Sequence, residues 1–516
     1  MIKLTNSNSK KILELLKKFD KNLYIYNPKY LEVINTECKS DTKSNLFISE
    51  APVKNPTLII PKFKFNSQRK FMERFNLSYP YIAGAMAKGI SSVKMVKEFS
   101  KNGFMADFGS AGLSNEDILK TADILKSKCK RFSINIINIP GNQENELKLL
   151  KNLVLKKINI ITAGAYIRMT PGLVYFRVKG VKKENGKIIV PNKIIAKISR
   201  KEIAKTFMSP PPEKILKKLL KEKLISENEA ELAKEIPISS DIICEADSGG
   251  HTDNQPAICL FPEIYYLKEK FQKNYPDIPI YLGLGGGIST PQSVLSAFSM
   301  GADFVVTGSI NQSCIEAQTS DIVKEMLSNA NQGDFGLAPS ADTFESGGKV
   351  QVLKAKSMFV LRAKLLEKIY NESSSIGDIQ KKDLDYLESK IFKHSLNKEW
   401  ELTKKHFNKI NPSIIEKAEN NPKKKLALIF KSYLGQSSWW AIKGVEDRKD
   451  DFQIWSGPSM AAFNTFAKNT KFENFKNRSA PEIAKALLEG AGVLSRINFI
   501  NNLDIDINFD LKELYT

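Results

Sequence analysis

At 516 residues the chain is too long for one compact core, so its length favours one large domain with additions or a few domains. Hydrophobic residues make up 42% and aromatics 9%, which excludes a disordered chain, and no apolar run approaches the ~18 residues that a membrane-spanning helix needs. The net charge of +21 is nearly all lysine and lacks the arginine–aromatic interleaving of a base-reading surface. A solvated lysine-rich face is therefore expected, with no nucleic acid and no membrane among the partners; attraction to an acidic protein is the sharper alternative.

Residues 1–75 read as an irregular N-terminal extension, with Ile12, Leu13, Leu15, Leu16 and Phe19 at helical spacing. Its start has no apolar h-region and no cleavage site, so a cytoplasmic protein is expected. From Pro80 to Ile310 short β-branched runs alternate with helical patterns, the signature of βαβ units. The candidate strands are Tyr81–Gly84, Phe104–Phe108, Phe132–Ile137, Ile158–Ala163, Ile194–Ile198, Asp241–Glu245, Ile278–Leu282 and Phe304–Thr307. Eight parallel strands predict an α/β chain built as a (β/α)₈ TIM barrel over 76–360, with a doubly wound open sheet as competitor. Within a helical insertion near 202–236, the segment SPPPEKILKKLLKEKLISENEAELAKEIP reads as two helices opened by a Pro run. Residues 361–516 read as a helical, charged C-terminal region for substrate or partner, with Asn371–Asp378 as a candidate linker.

Cys38, Cys129, Cys244, Cys259 and Cys314 form no C-x-x-C pair, and the histidines are only His251, His394 and His406; neither a disulfide framework nor a metal site is expected. The strongest local signal is Glu245-Ala-Asp-Ser-Gly249-Gly250-His251-Thr-Asp253, after the sixth candidate strand. Catalytic groups of parallel barrels sit there, the two glycines allow a tight path, and a histidine is the usual proton donor near neutral pH. Glu245, Asp247 and Asp253 are candidates to orient the ring; the plainer reading is a structural hydrogen-bonding histidine. The second signal is a pair of glycine turns, Gly285-Gly286-Gly287 after strand seven and Gly308-Ser309 after strand eight. Barrels commonly bind phosphate at these two loops, and the sequence is neither a Rossmann fingerprint nor a P-loop. The third, weaker signal is the small-residue turn Ala83-Gly-Ala85-Met86-Ala87-Lys88-Gly89 after strand one, where a flat ring can lie against backbone.

Blocks such as YPYIAGAMAKGISSVKMV, NKIIAKISR, EADSGGHTDNQPA, GGGISTPQSVLSAFSMGADFVVTGSINQ, LAPSADTFESGGKVQVLKAKSMF and DFQIWSGPSMAAFN, in this order, resemble the PfaD-type FMN-dependent trans-acting enoyl reductases. These serve polyketide and polyunsaturated fatty acid synthases and lie within the nitronate monooxygenase-like superfamily. The resemblance implies an FMN ring lined by Ala85, Met86 and Ala87, with Asn135 hydrogen-bonding it. It also implies Lys197 near flavin or substrate, His251 as general acid, and the phosphate at Gly286, Gly287, Gly308 and Ser309. NADPH or NADH would reduce the flavin and leave, and the enoyl thioester would take its place. Acyl carrier protein domains of such a synthase are the implied partners, and a homodimer is a further candidate. Lys88 stands where Asn is common, and Thr162-Ala-Gly where an acid often precedes Ala-Ser. Trp439, Trp440, Phe452, Trp455 and Phe463 could wall an acyl chain or pack a core. The competing readings are a nitronate monooxygenase, which shares fold and histidine, and a non-catalytic protein that docks the carrier.

Overall fold

The computed structural model describes residues 2–4, 6–26, 46–53, 56, 58–60, 65, 67–139, 141–410, 412–503, 505, 507 and 509–516; Cys38 lies outside them. Eight short strands pair in parallel into a closed barrel: β1 (Tyr81–Ala83), β2 (Met105–Phe108), β3 (Phe132–Ile137), β4 (Ile160–Gly164), β5 (Lys193–Ile198), β6 (Asp241–Glu245), β7 (Tyr281–Gly285) and β8 (Phe304–Thr307). The TIM barrel expected from the alternating pattern is therefore present, and closure leaves the barrel sheet without a free edge. β7 begins three residues later than expected. Pro279 has no N–H to give to a ladder, and the Ile280 N–H is taken by Gln272 Oε1 at 2.7 Å, so 278–280 stay outside the strand.

Two compact units divide the described chain, and neither is continuous in sequence. The first comprises 1–246, 255–317 and 463–516; the second comprises 247–254 and 318–462.

In the first unit the N-terminal end of the barrel is plugged by the helix Arg69–Phe75. Phe71 stacks on Phe304 at 4.2 Å, and Arg74 reaches Asp241 at 2.9 Å and the Tyr281 ring at 4.3 Å. Gly283 sits opposite Phe304 because a Cβ there would lie 2.3 Å from the Phe304 ring. The helices Val93–Lys101 and Pro291–Ser299 follow β1 and β7. The place between them, which an eighth barrel helix would take, is filled by Ala480–Asn501 from the far end of the chain. Gly490 lets that helix close on Pro291, which a Cβ would meet at 2.6 Å. The same helix buries Val493, Ile497 and Ile500 against Ile12, Leu13 and Leu16. The N-terminal segment is less irregular than expected: Leu23–Tyr26, Phe47–Ser49, Leu58–Ile60 and Ile2–Lys3 form an antiparallel sheet. Its strands are short apolar runs, too brief to stand out from the surrounding polar chain. The Pro run is followed by the two helices expected, Glu213–Lys221 and Glu227–Leu232, the second started by a Ser226–Glu229 capping box, and Lys201–Met208 precedes them.

In the second unit a hairpin, Phe335–Pro339 with Lys349–Leu353, accompanies the helices Phe359–Glu372, Leu396–Ile410 and Pro422–Lys443. Phe344, Phe430, Phe392 and Tyr433 form its core, and Trp440 and Trp455 pack on it. Phe452 there, like Phe463 in the first unit, is fully buried, so these aromatics serve packing. The stretch 371–378 lies inside this unit and is turned by a Ser375–Asp378 capping box. Among the described residues no helix is long and apolar enough to cross a membrane.

Asp303, at the entry to β8, accepts from the Leu282 N–H at 2.8 Å, and burial pushes its carboxyl up to about 6 from 3.8. The folded state holds this proton more tightly, so the group's stabilising contribution is full below about pH 4 and is lost as pH rises through about 6. Asp303→Asn stays neutral and still accepts from Leu282. We expect the variant to gain stability relative to the parent at pH 8 and to gain less at pH 4, read by denaturant unfolding at both; equal gains would contradict the linkage.

Candidate active site

β1 is wholly buried, but Ala85, Met86, Ala87 and Lys88 after it are partly exposed. The turn is tied by Ser91, whose Oγ donates to Gly84 O at 3.0 Å and accepts from Met86 N at 2.9 Å. The loop after β2 holds it from the other side: Lys88 N donates to Ala111 O and Gly89 N to Gly109 O, at 2.7 and 2.8 Å. Gly109 has no substitute here, since a Cβ would fall 1.7 Å from Met86 O. The result is a flat, side-chain-poor strip of backbone fixed at the barrel mouth.

Beneath it lies a buried polar floor. Asp107, from β2, accepts from Ser133 on β3 and from Thr162 on β4, the latter at 2.9 Å. Burial raises its pKa, while those hydroxyls, Lys197 and the Ala85 N–H oppose the rise; Oδ2 has no hydrogen-bond partner. Asn135, buried on β3, donates from Nδ2 to Thr162 O at 3.1 Å. Lys197 on β5 meets Glu245 on β6 with Nζ 2.5 Å from Oε1, both partly buried. Burial pulls the lysine pKa down, but the Glu245 carboxylate and, at longer range, Asp107 more than offset it, so the pKa is raised and the ammonium stays charged.

The glycine turns after β7 and β8 open beside these groups on the same end of the barrel. Gly285 O accepts from Ala246 N at 2.9 Å, and Gly286 and Gly287 take φ of 90° and 75°, which favour glycine. Around Gly287 and Gly308 nothing lies within 4 Å of where a Cβ would be, so both backbones face open space. Ser309 is partly exposed. Exposed glycine amides with a nearby hydroxyl suit an anionic oxygen cluster.

His251 belongs to the second unit, in the loop 247–254. Gly250 exchanges two 3.0 Å backbone hydrogen bonds with Gln351 on the hairpin, and the Cβ position of Gly249 is occupied by the Ser456 backbone at 2.6 Å. The paired glycines are thus needed for close backbone approach. The ring is half exposed, with Nε2 3.4 Å from Ser340 Oγ and 3.6 Å from Asp342 Oδ2. Of the acids expected to orient it, Glu245 is committed to Lys197, and Asp247 accepts from Thr252 and Gln351. Ser340 and Asp342 carry no signal of their own in the sequence beyond their place in the block LAPSADTFESGG, some ninety residues from the histidine.

Small-residue strip, charged pair and glycine turns lie at the strands' C-terminal ends of a (β/α)₈ barrel. The chain is 36% identical to the enoyl reductase domain of MlnA from the macrolactin biosynthesis cluster of Bacillus amyloliquefaciens. That solved structure superposes with a TM-score of 0.80, covering 84% of this chain and 99% of that one, and the chain belongs to its family. The polyketide biosynthesis protein PksE of Bacillus subtilis is 43% identical over 82% of this chain and 56% of its own length. The polyketide biosynthesis protein ThaF of Burkholderia thailandensis is 37% identical over 83% of this chain and 37% of its own. One component of the polyunsaturated fatty acid synthase of Thraustochytrium sp. is 36% identical over 86% of this chain and 30% of its own. The chain thus spans about half or less of these curated relatives. Residues 373–452 match the family profile of the inserted helical domain of [acyl-carrier-protein] S-malonyltransferase.

Removing the charge at Glu245 tests the electrostatics of the mouth. In Glu245→Gln the Lys197 ammonium keeps its burial and loses its contact carboxylate, so its pKa should fall. Titration by carbon NMR of reductively methylated protein, with Lys197→Arg to assign the signal, reads the shift; an unmoved pKa would refute the pairing.

Proposed function

We propose that the chain is a trans-acting enoyl reductase of polyketide or polyunsaturated fatty acid biosynthesis, acting on enoyl thioesters borne by acyl carrier protein, with bound FMN and NADPH or NADH as reductant. The carrying observation is its match to the MlnA enoyl reductase domain over 99% of that domain. The residues present fit a flavin mononucleotide: backbone glycines open to solvent for its phosphate, and a side-chain-poor strip for its ring.

When bound, the flavin supplies hydride transfer from the nicotinamide to the β-carbon of the enoyl thioester. Gly286, Gly287, Gly308 and Ser309 hold its phosphate, and Gly285 shapes the first turn. Ala85, Met86 and Ala87 would support the ring, and Asn135, one amide hydrogen committed to Thr162, would hydrogen-bond the cofactor. Lys197, held charged by Glu245, steadies negative charge on the bound ring or thioester oxygen. His251 delivers the proton to the α-carbon, and Gly249 and Gly250 fix its loop. The lysine-rich surface suits docking of an acidic carrier domain.

An anaerobic stopped-flow experiment tests this. Protein reduced with NADPH should reoxidise promptly on addition of a crotonyl thioester. Reoxidation should slow by about 10²- to 10⁴-fold in His251→Ala, the usual worth of a positioned acid, and Gly109→Ala should purify with less flavin. Reoxidation only by oxygen with a nitronate would assign a monooxygenase instead, and a protein that never binds flavin would exclude both.

A further inference from the structure

The turn after β8 is backed by the C-terminal segment of the same unit. In that turn, Ser309–Ser313, the carbonyls are tied back locally: Thr307 O accepts from Asn311 Nδ2 at 3.1 Å, Gly308 O from Asn311 N at 3.0 Å, and Ile310 O from Ser313 Oγ at 2.9 Å. Ser313 Oγ in turn accepts from Arg478 Nη1 at 2.9 Å. The Arg478 carbonyl accepts from Ile315 N at 3.0 Å, and Glu316 Oε2 accepts from Ala480 N at 3.0 Å. Residues 478–480 thus hold the C-terminal end of the turn and the residues that follow it.

Arg478 is 1% exposed, and its guanidinium donates to Phe472 O, Asn464 Oδ1 and Ser313 while lying 5.0 Å from the Phe463 ring. Three partly buried guanidinium groups meet a carboxylate directly: Arg74 meets Asp241, and Arg362 and Arg448 meet Asp451. Arg177 and Arg496 feel Asp241 and Asp20 at longer range. Among the described residues no carboxylate comes within ion-pair distance of Arg478. Burial lowers its pKa to about 10, so it remains cationic at neutral pH. A buried charge with only neutral acceptors is costly, and an anion close by relieves that cost.

We propose that Arg478 is the buried countercharge of the cofactor phosphate and positions the Gly308–Ser313 turn that binds it. The proposal rests on the assignment of FMN phosphate to Gly308 and Ser309. It makes the C-terminal segment part of the cofactor site, and Arg478 a positioning residue that touches the turn rather than the reacting atoms.

The test compares FMN with riboflavin, which lacks the phosphate, by fluorescence titration of the deflavinated full chain. The parent should prefer FMN. Arg478→Gln should lose about ten- to a hundredfold in FMN affinity, the worth of a hydrogen bond to a charged group, while riboflavin affinity stays nearly level; Arg478→Lys should recover part of the preference. If the glutamine variant does not fold, Ser313→Ala, which keeps the charge and cuts its link to the turn, should show a several-fold loss of FMN preference. An unchanged preference, or equal loss for both flavins, overturns the proposal while leaving the flavin reading intact. A parent that binds neither flavin, or both equally, overturns the cofactor assignment and this proposal with it.

Discussion

One packing event conditions the whole first unit: the helix Ala480–Asn501 must seat between the helices that follow β1 and β7 before the barrel has a complete outer ring. Gly490 permits the close approach to Pro291. The opposite face of the same helix buries the N-terminal helix, and Arg496 donates to carbonyls of Leu16, Lys18 and Lys21. Both chain ends are therefore fastened through one element. The residues leading into it also grip the turn after β8, so closure of the ring and shape of that turn are one structural problem.

The mouth of the barrel follows a different logic, in which charge is held by burial with partners. Lys197 stays cationic because Glu245 touches it and Asp107 lies within electrostatic range. Asp107 in turn ties three strands through Ser133 and Thr162 and feels the Ala85 N–H. A group that carries the electrostatics thus also sets the backbone strip above it. In the second unit, Gly249 and Gly250 serve contact with the hairpin and Ser456, and the neighbours of His251 Nε2 come from the hairpin connection.

Strand and helix periodicity, the glycine turns after the seventh and eighth strands, and the family blocks are local enough in the chain to determine barrel class and candidate site loops by themselves. Alternation and turn chemistry act over a few residues, and the strands appear where those patterns stand, apart from β7, delayed by Pro279 and the Gln272 bond. What only the tertiary structure decided involves partners remote in sequence. Gly109 matters because Met86 O crosses it, Lys197 is charged because β5 lies beside β6, and Asp342 faces His251 across some ninety residues of chain. The two discontinuous units and the late-arriving barrel helix are likewise invisible to periodicity, since an amphipathic helix records that one face is buried and not against which neighbour.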